Sequence, residues 1–302
     1  MSTATIEHTV ERHAAKWGYR AADFWEKGYA VARGVFSRDE MREIKAATDR
    51  IKALGMKHGA NHRQGNLCFW VEQDPNIGTN VRGMQWGSYL EPVLEQMRRD
   101  PRMLEILKPL IGDNLRQIIN QLHWKTPGSR TAIDFHADRR NRRPAEDFRD
   151  LENSYVQTAL SVDPMTPENG ALMVVPGSHR KAFKKDVLNG GNFSTDESFN
   201  NLKVLGYETK DLLPLYAEPG DVVLWHVDTV HGSGLNKSPT MDRCIYINGY
   251  VKAQNCMRGH WAFIQGQGVP LPPVDVPVLV QHEPIFDDLA PRTEAPAKKL
   301  YD

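Results

Sequence analysis

His136 and Asp138 stand two positions apart in the apolar run Ile133-Asp134-Phe135-His136-Ala137-Asp138. In an extended backbone, residues i and i+2 point to the same face, so this run presents an imidazole and a carboxylate together. A second imidazole brought to that face, with His231 as the candidate, would complete three neighbouring ligands of an octahedral metal and leave three positions open. Non-haem Fe(II) oxygenases use that arrangement. The competing reading makes His136 a core histidine satisfied by a backbone carbonyl and Asp138 a solvated turn residue.

The downstream sequence favours the metal. "NGALMVVPGSH" (169–179), Gly220-Asp221, "HGSGLN" (231–236) and Arg243 follow in order, and the glycines beside His231 let a loop pass close to another group. His123, His179 and His226 are read as structural or supporting residues and are given no metal. The run Arg139-Arg140-Asn141-Arg142-Arg143 reads either as a solvated basic face or as a place where one guanidinium meets an anionic group on a substrate. Phe69, Trp70 and Trp86 are read as core, with pocket lining as the alternative.

These residues need elements to hold them. Ser37 with Glu40 forms a capping box, and Met41, Ile44, Ala47, Ile51 and Leu54 make an apolar stripe that predicts a helix ending at Gly55. Asp100-Pro101 opens a second helix over 101–111, closed by Gly112. Gly28 marks a turn into a short strand, residues 1–20 read as a helical lead-in anchored by Trp17, and 56–90 read as a strand and loops. From Leu115 onward, short apolar runs separated by Pro, Gly and Asp predict an all-β sandwich or barrel. Residues 180–215 read as a long insertion of the kind that covers active sites. A proline-rich tail follows Ala253. The expectation is one domain over 1–302, with helical N-terminal support (1–112), a barrel core (113–253) and the tail (254–302).

Composition narrows the partners. Lys plus Arg and Asp plus Glu both number 38, so there is no global field to attract nucleic acid or an anionic membrane, and a small-molecule substrate is expected. Cys68, Cys244 and Cys256 have no CxxC spacing and suit a reducing compartment. Met1 to Val10 lacks the apolar core of a signal peptide, and no run is long enough to span a membrane. The expected setting is the cytoplasm, as a monomer or homodimer.

From roughly Phe24 to Val251 the chain resembles the phytanoyl-CoA dioxygenase family of Fe(II)- and 2-oxoglutarate-dependent oxygenases. The likeness lies in "FWEKGYAVARGVFS", "HAD", "PENGALMVVPGSHR", "PGDVVLWHVDTVHGSGLNKS" and the arginine of "DRCIYINGYV". It implies a mainly β fold, the double-stranded β-helix or jelly roll, with flanking helices. It implies further that His136, Asp138 and His231 bind iron and that Arg243 pairs with the far carboxylate of 2-oxoglutarate. Ser233 would assist that carboxylate, and Gln121 and Gln157 would lie at the co-substrate's rim.

The implied reaction uses O₂ to hydroxylate an unactivated C–H bond of a small molecule, releasing succinate and CO₂. A halogenase would need a vacant position where Asp138 stands, a cupin-type isomerase would not need Arg243, and a non-catalytic binding protein would be expected to have lost a ligand. Two departures stand out. Ala159 replaces a bulky aromatic of many relatives, implying a roomier pocket. The interval from His231 to Arg243 is about one residue longer than the family pattern, to be absorbed at Ser238-Pro239-Thr240. Lys125 is the alternative cation and Asp134 the alternative carboxylate. Specificity is expected in the loops 56–90 and 180–215.

Overall fold

The computed structural model describes residues 16–64, 66–181 and 199–272. Helix α1 (Ala21–Lys27) stops at Gly28, whose φ of 81° only glycine adopts without strain, and the chain turns into β1 (Tyr29–Ala32). Helix α2 (Arg38–His58) opens on the expected box: Ser37 accepts from the Glu40 amide, and Glu40 accepts from the Ser37 amide at 2.8 Å. It does not end at Gly55 but runs to Gly59, which has a φ of 68°. Gly55 has a packing role instead, since a Cβ there would meet Phe69 at 2.9 Å and Val81 at 3.0 Å. Helix α3 (Pro92–Arg98) precedes α4 (Pro101–Ile111), which has the expected bounds and is capped by Asp100.

The stretch expected to hold a strand and loops forms three strands, β2 (His62–Gln64), β3 (Leu67–Asp74) and β4 (Gly78–Gln85). They extend a large antiparallel sheet completed by β5 (Leu115–Lys125), β7 (Tyr155–Ser161), β10 (Val222–His226) and β12 (Arg243–Lys252), in the order β1-β10-β7-β12-β5-β4-β3-β2. A smaller sheet has the order β6-β11-β8-β9, from β6 (Ile133–His136), β8 (Met173–Val174), β9 (Leu213–Pro214) and β11 (His231–Ser233). The fold is the jelly-roll double-stranded β-helix, and its N-terminal third supplies strands as well as helices. After Ala253, β13 (His260–Ile264) pairs with the beginning of β5, so the start of the tail also joins the large sheet.

Period-two alternation assigns the two faces of that sheet. Leu122 and Trp124 on β5, Leu160 on β7, Leu224 on β10 and Tyr246 on β12 pack outward with the helices in the larger core cluster. Ile119, Ala159, Trp225, Ile245 and Ile247 alternate with them in a second cluster. On the small sheet, Phe135, Val175 and Val230 pack with Leu202 and Tyr207, so the described end of the 180–215 segment covers this sheet. Trp17 is buried. The rest of the helical lead-in before residue 16, residues 182–198 of the insertion and the tail from 273 lie outside the described residues. Among the described residues no helix is long and apolar enough to cross a membrane.

Candidate metal centre and co-substrate pocket

Antiparallel pairing of β6 with β11 places His136 directly opposite His231, with ring centroids 4.4 Å apart. Each ring is held from behind. Nδ1 of His136 donates to the Asp134 carbonyl at 2.6 Å, and Nδ1 of His231 donates to the Thr229 carbonyl at 2.9 Å. A carbonyl can only accept, so the proton sits on Nδ1 and each Nε2 keeps its lone pair. Burial is the largest influence on both rings and lowers their pKa, favouring the neutral form that ligates metals.

Asp138 arrives by a slightly different route from a continuing strand. β6 ends at His136, Ala137 stays extended, and Asp138 opens a 3₁₀ turn through Asn141. Its Oδ1 lies 4.0 Å from His136 Nε2 and its Oδ2 3.8 Å from His231 Nε2. Ligand atoms of all three residues fall within 4.8 Å of one another, and no other His, Cys, Asp or Glu trio among the described residues is so gathered. Two imidazole nitrogens and one carboxylate on one side of a point, facing a cavity on the other, fit Fe(II) with open positions.

The cavity lies between the two sheets and encloses about 860 Å³, its open mouth included. Arg243, the first residue of β12, lines it and is 1% exposed, yet its Nε and Nη1 have no hydrogen-bond partner among the described residues. Burial lowers its pKa to about 10, so the group stays charged at neutral pH. A buried guanidinium with two undirected donors is costly unless an anion completes it.

The long interval before Arg243 is taken up by side-chain bonds within the loop. Asn236 donates to the Lys125 and Met241 carbonyls, both at 2.8 Å, and Ser238 Oγ accepts from the Met241 amide at 2.9 Å. Ser233, Gln121 and Gln157 all line the same cavity. Ala159 sits on the inner face two residues past Gln157 and packs in the interior core cluster.

The two alternative residues are engaged elsewhere. Lys125 is buried opposite Arg243, but its Nζ donates to the carbonyls of Ser233, at 3.2 Å, and Gly234. Asp134 offers its backbone carbonyl to His136 and lies outside the trio. His179 and His226 bond the carbonyls of Trp25 and Glu152, as structural histidines do. His123 lines the cavity edge-on to Trp70, and Trp70 itself is a wall residue, whereas Phe69 and Trp86 are core. Sequence reasoning did not single out Trp225, whose Nε1 donates to Asp138 Oδ2 at 2.9 Å. Nor did it separate Arg142, which is 5% exposed in the cavity wall, from the other arginines of the run 139–143.

The chain is similar to several known oxygenases. The dioxygenase lolE1 of Epichloe uncinata is 28% identical over 212 residues, which is 68% of this chain and 70% of that protein. The crystal structure of EctD from S. alaskensis with 2-oxoglutarate and 5-hydroxyectoine has a TM-score of 0.60 at 23% identity, covering 92% of this chain and 84% of that one. The 2-oxoglutarate-dependent carbocyclase SnoK of nogalamycin biosynthesis has a TM-score of 0.58 at 19% identity, covering 84% and 92%. These two structural likenesses bear on the fold alone. The profile of the phytanoyl-CoA dioxygenase family matches residues 24–244, a span that holds the trio and Arg243, and the chain belongs to that family.

Proposed function

We propose that this protein is an Fe(II)- and 2-oxoglutarate-dependent oxygenase that hydroxylates an unactivated C–H bond of a small molecule. The observation that carries the reading is that one cavity holds both the His136–Asp138–His231 trio and a buried arginine with unsatisfied donors. His136, His231 and Asp138 hold the metal, with both imidazoles oriented by the Asp134 and Thr229 carbonyls. Bound iron supplies activation of O₂, coupled to oxidative decarboxylation of 2-oxoglutarate to succinate and CO₂.

Arg243 receives the distal carboxylate through its planar fork, with the Ser233 hydroxyl beside it. Trp225 fixes the rotamer of Asp138 by its N–H bond. Ile119, Ile245 and Ile247 give the wall an apolar surface that excludes water from the reacting carbon. Gln121 and Gln157 supply polar contacts along the inner face of the large sheet. Asp138 occupies the position a halide would need, which favours hydroxylation over halogenation.

The test is succinate release across compound classes with Fe(II), 2-oxoglutarate and isotopically labelled O₂. Substrate-dependent succinate with one labelled oxygen in the product is expected. Succinate with a product that gains no oxygen would replace hydroxylation by a cyclisation or desaturation. No 2-oxoglutarate consumption with any class, in protein shown to bind iron, would overturn the reading.

A further inference from the structure

We infer that Arg142 receives an anionic group of the substrate, a carboxylate or phosphonate, at the end of the cavity remote from Arg243. The inference rests on the oxygenase reading above and adds a substrate class to it.

Arg142 leaves the 3₁₀ turn that begins at Asp138 and turns inward, where its guanidinium lies 4.8 Å from the centre of the Tyr155 ring. Its Nη2 donates to the Tyr155 hydroxyl at 2.6 Å and lies 3.4 Å from both Gln157 Oε1 and Asp138 Oδ1. The stack and these contacts fix the plane of the fork at the cavity wall beside the metal ligands. A rigid guanidinium of this kind recognises planar or tetrahedral anions, and a solvated surface arginine has no reason to be built in this way.

Position separates this group from Arg243. On β12, Arg243 is the first residue, while Gln157 pairs with Gly249, six residues further on. At about 3.3 Å per residue, the backbone positions of Arg243 and Gly249 stand roughly 20 Å apart along the strand, so the two guanidinium groups enter the cavity from opposite ends. Gly249 makes room for the second one, because a Cβ there would meet Gln157 Oε1 at 2.7 Å and would also strike the Tyr155 hydroxyl.

Asp138 lies in ion-pair range of Arg142, so the guanidinium meets the cavity beside the carboxylate of the trio.

Calorimetric titration of Mn(II)-loaded protein saturated with 2-oxoglutarate tests this, using hexanoate, cyclohexanecarboxylate and phenylacetate beside the amides of the same skeletons. At least one acid is expected to bind about tenfold or more tightly than its amide without displacing 2-oxoglutarate. Arg142→Gln, titrated at saturating Mn(II) because Arg142 also touches Asp138, should abolish that preference, and Arg142→Lys should keep part of it, while 2-oxoglutarate affinity stays within about threefold of wild type. Equal binding of acids and amides by wild type, no acid binding, or a preference that survives Arg142→Gln overturns the inference. Loss of Mn(II) affinity in Arg142→Gln with the acid preference intact at saturating Mn(II) also overturns it, by making Arg142 a positioning residue for Asp138 alone. Wild type that binds Mn(II) but not 2-oxoglutarate would instead refute the oxygenase reading.

Discussion

Lys125 and Arg243 face each other in register across β5 and β12, each 1% exposed, and among the described residues Lys125 has two carbonyl partners whereas Nε and Nη1 of Arg243 have none. The Lys125 ammonium is spent on the Ser233 and Gly234 carbonyls, and burial followed by the charge of Arg243 pushes its pKa well down. Lys125 thereby ties down the loop that leaves β11, and Arg243 keeps two donors for a ligand.

Arg243→Ala should therefore raise the KM for 2-oxoglutarate steeply while metal affinity changes little. Leaving a carboxylate unpaired in a water-poor cavity costs roughly 2–5 kcal/mol, or about 30- to several thousand-fold. Arg243→Lys should recover part of this, because an ammonium keeps the charge but loses the fork. Succinate formation against 2-oxoglutarate concentration reads both variants. An unchanged KM in Arg243→Ala would mean that another group holds that carboxylate.

Lys125→Met should act on the fold more than on the co-substrate. It keeps the aliphatic stem but strands two buried carbonyls, which costs about 1–3 kcal/mol. Thermal unfolding should occur at lower temperature, with a smaller rise in KM than in Arg243→Ala. A larger rise would show that Lys125 shares the carboxylate directly.

Trp225→Phe keeps the ring but removes the N–H bond to Asp138. The trio should remain folded with metal affinity reduced about 10- to 100-fold, the usual consequence of losing a partner that orients a ligand. Asp138→Gly removes the ligand itself and should end hydroxylation. Mn(II) titration of the two variants checks the ordering, and wild-type affinity in Trp225→Phe would refute it.

Why these residues differed in legibility is a matter of range. The helix caps at Ser37 and Asp100 were readable because a cap is made by residues two or three apart in sequence. The trio was readable because His136 and Asp138 are close in sequence, and the motifs around His231 are specific. Gly55 misled the reading because a glycine at a helix end and a glycine under a crossing strand look the same in one dimension, and only the contacts with Phe69 and Val81 separate them. Trp225 lies 87 residues from Asp138 and reads simply as a strand aromatic. Arg142 sits among three other arginines whose composition suggests solvent, and the 3₁₀ turn alone aims it inward. The piece 67–74 lacks a clear period because Leu67 to Val71 of β3 are buried on both faces.

Acid stability should show the Glu40–Arg102 pair at the start of α2. The Glu40 pKa is lowered to about 2, mainly by its bonds from Arg102, with the Ser37 cap adding to them. A depressed carboxylate contributes stability above its unfolded value and loses it as pH falls through the folded one, here between 4.5 and about 2. The side chain is 40% exposed, so solvent screening limits the contribution to about 1 kcal/mol. Glu40→Gln, which can still close the cap, should lower stability by that much at neutral pH and make denaturation less steep in that window. Equal slopes for the two proteins would refute the assignment.

His136→Ala and His231→Ala should both abolish Fe(II) binding, since each removes one of three protein ligands, but they should differ in stability. β6 is the edge of the small sheet, while β11 runs between β6 and β8. The His231 ring packs 5.1 Å from Trp225 as well as beside His136, so its loss opens a gap on two sides. His136→Ala should therefore unfold near the wild-type temperature, and His231→Ala should lose about 1–3 kcal/mol more. Mn(II) calorimetry and thermal melts of the two apo variants give both readouts. Retained metal affinity in either variant would remove that histidine from the site, and equal melts would show that the position of β11 within the sheet does not govern the cost.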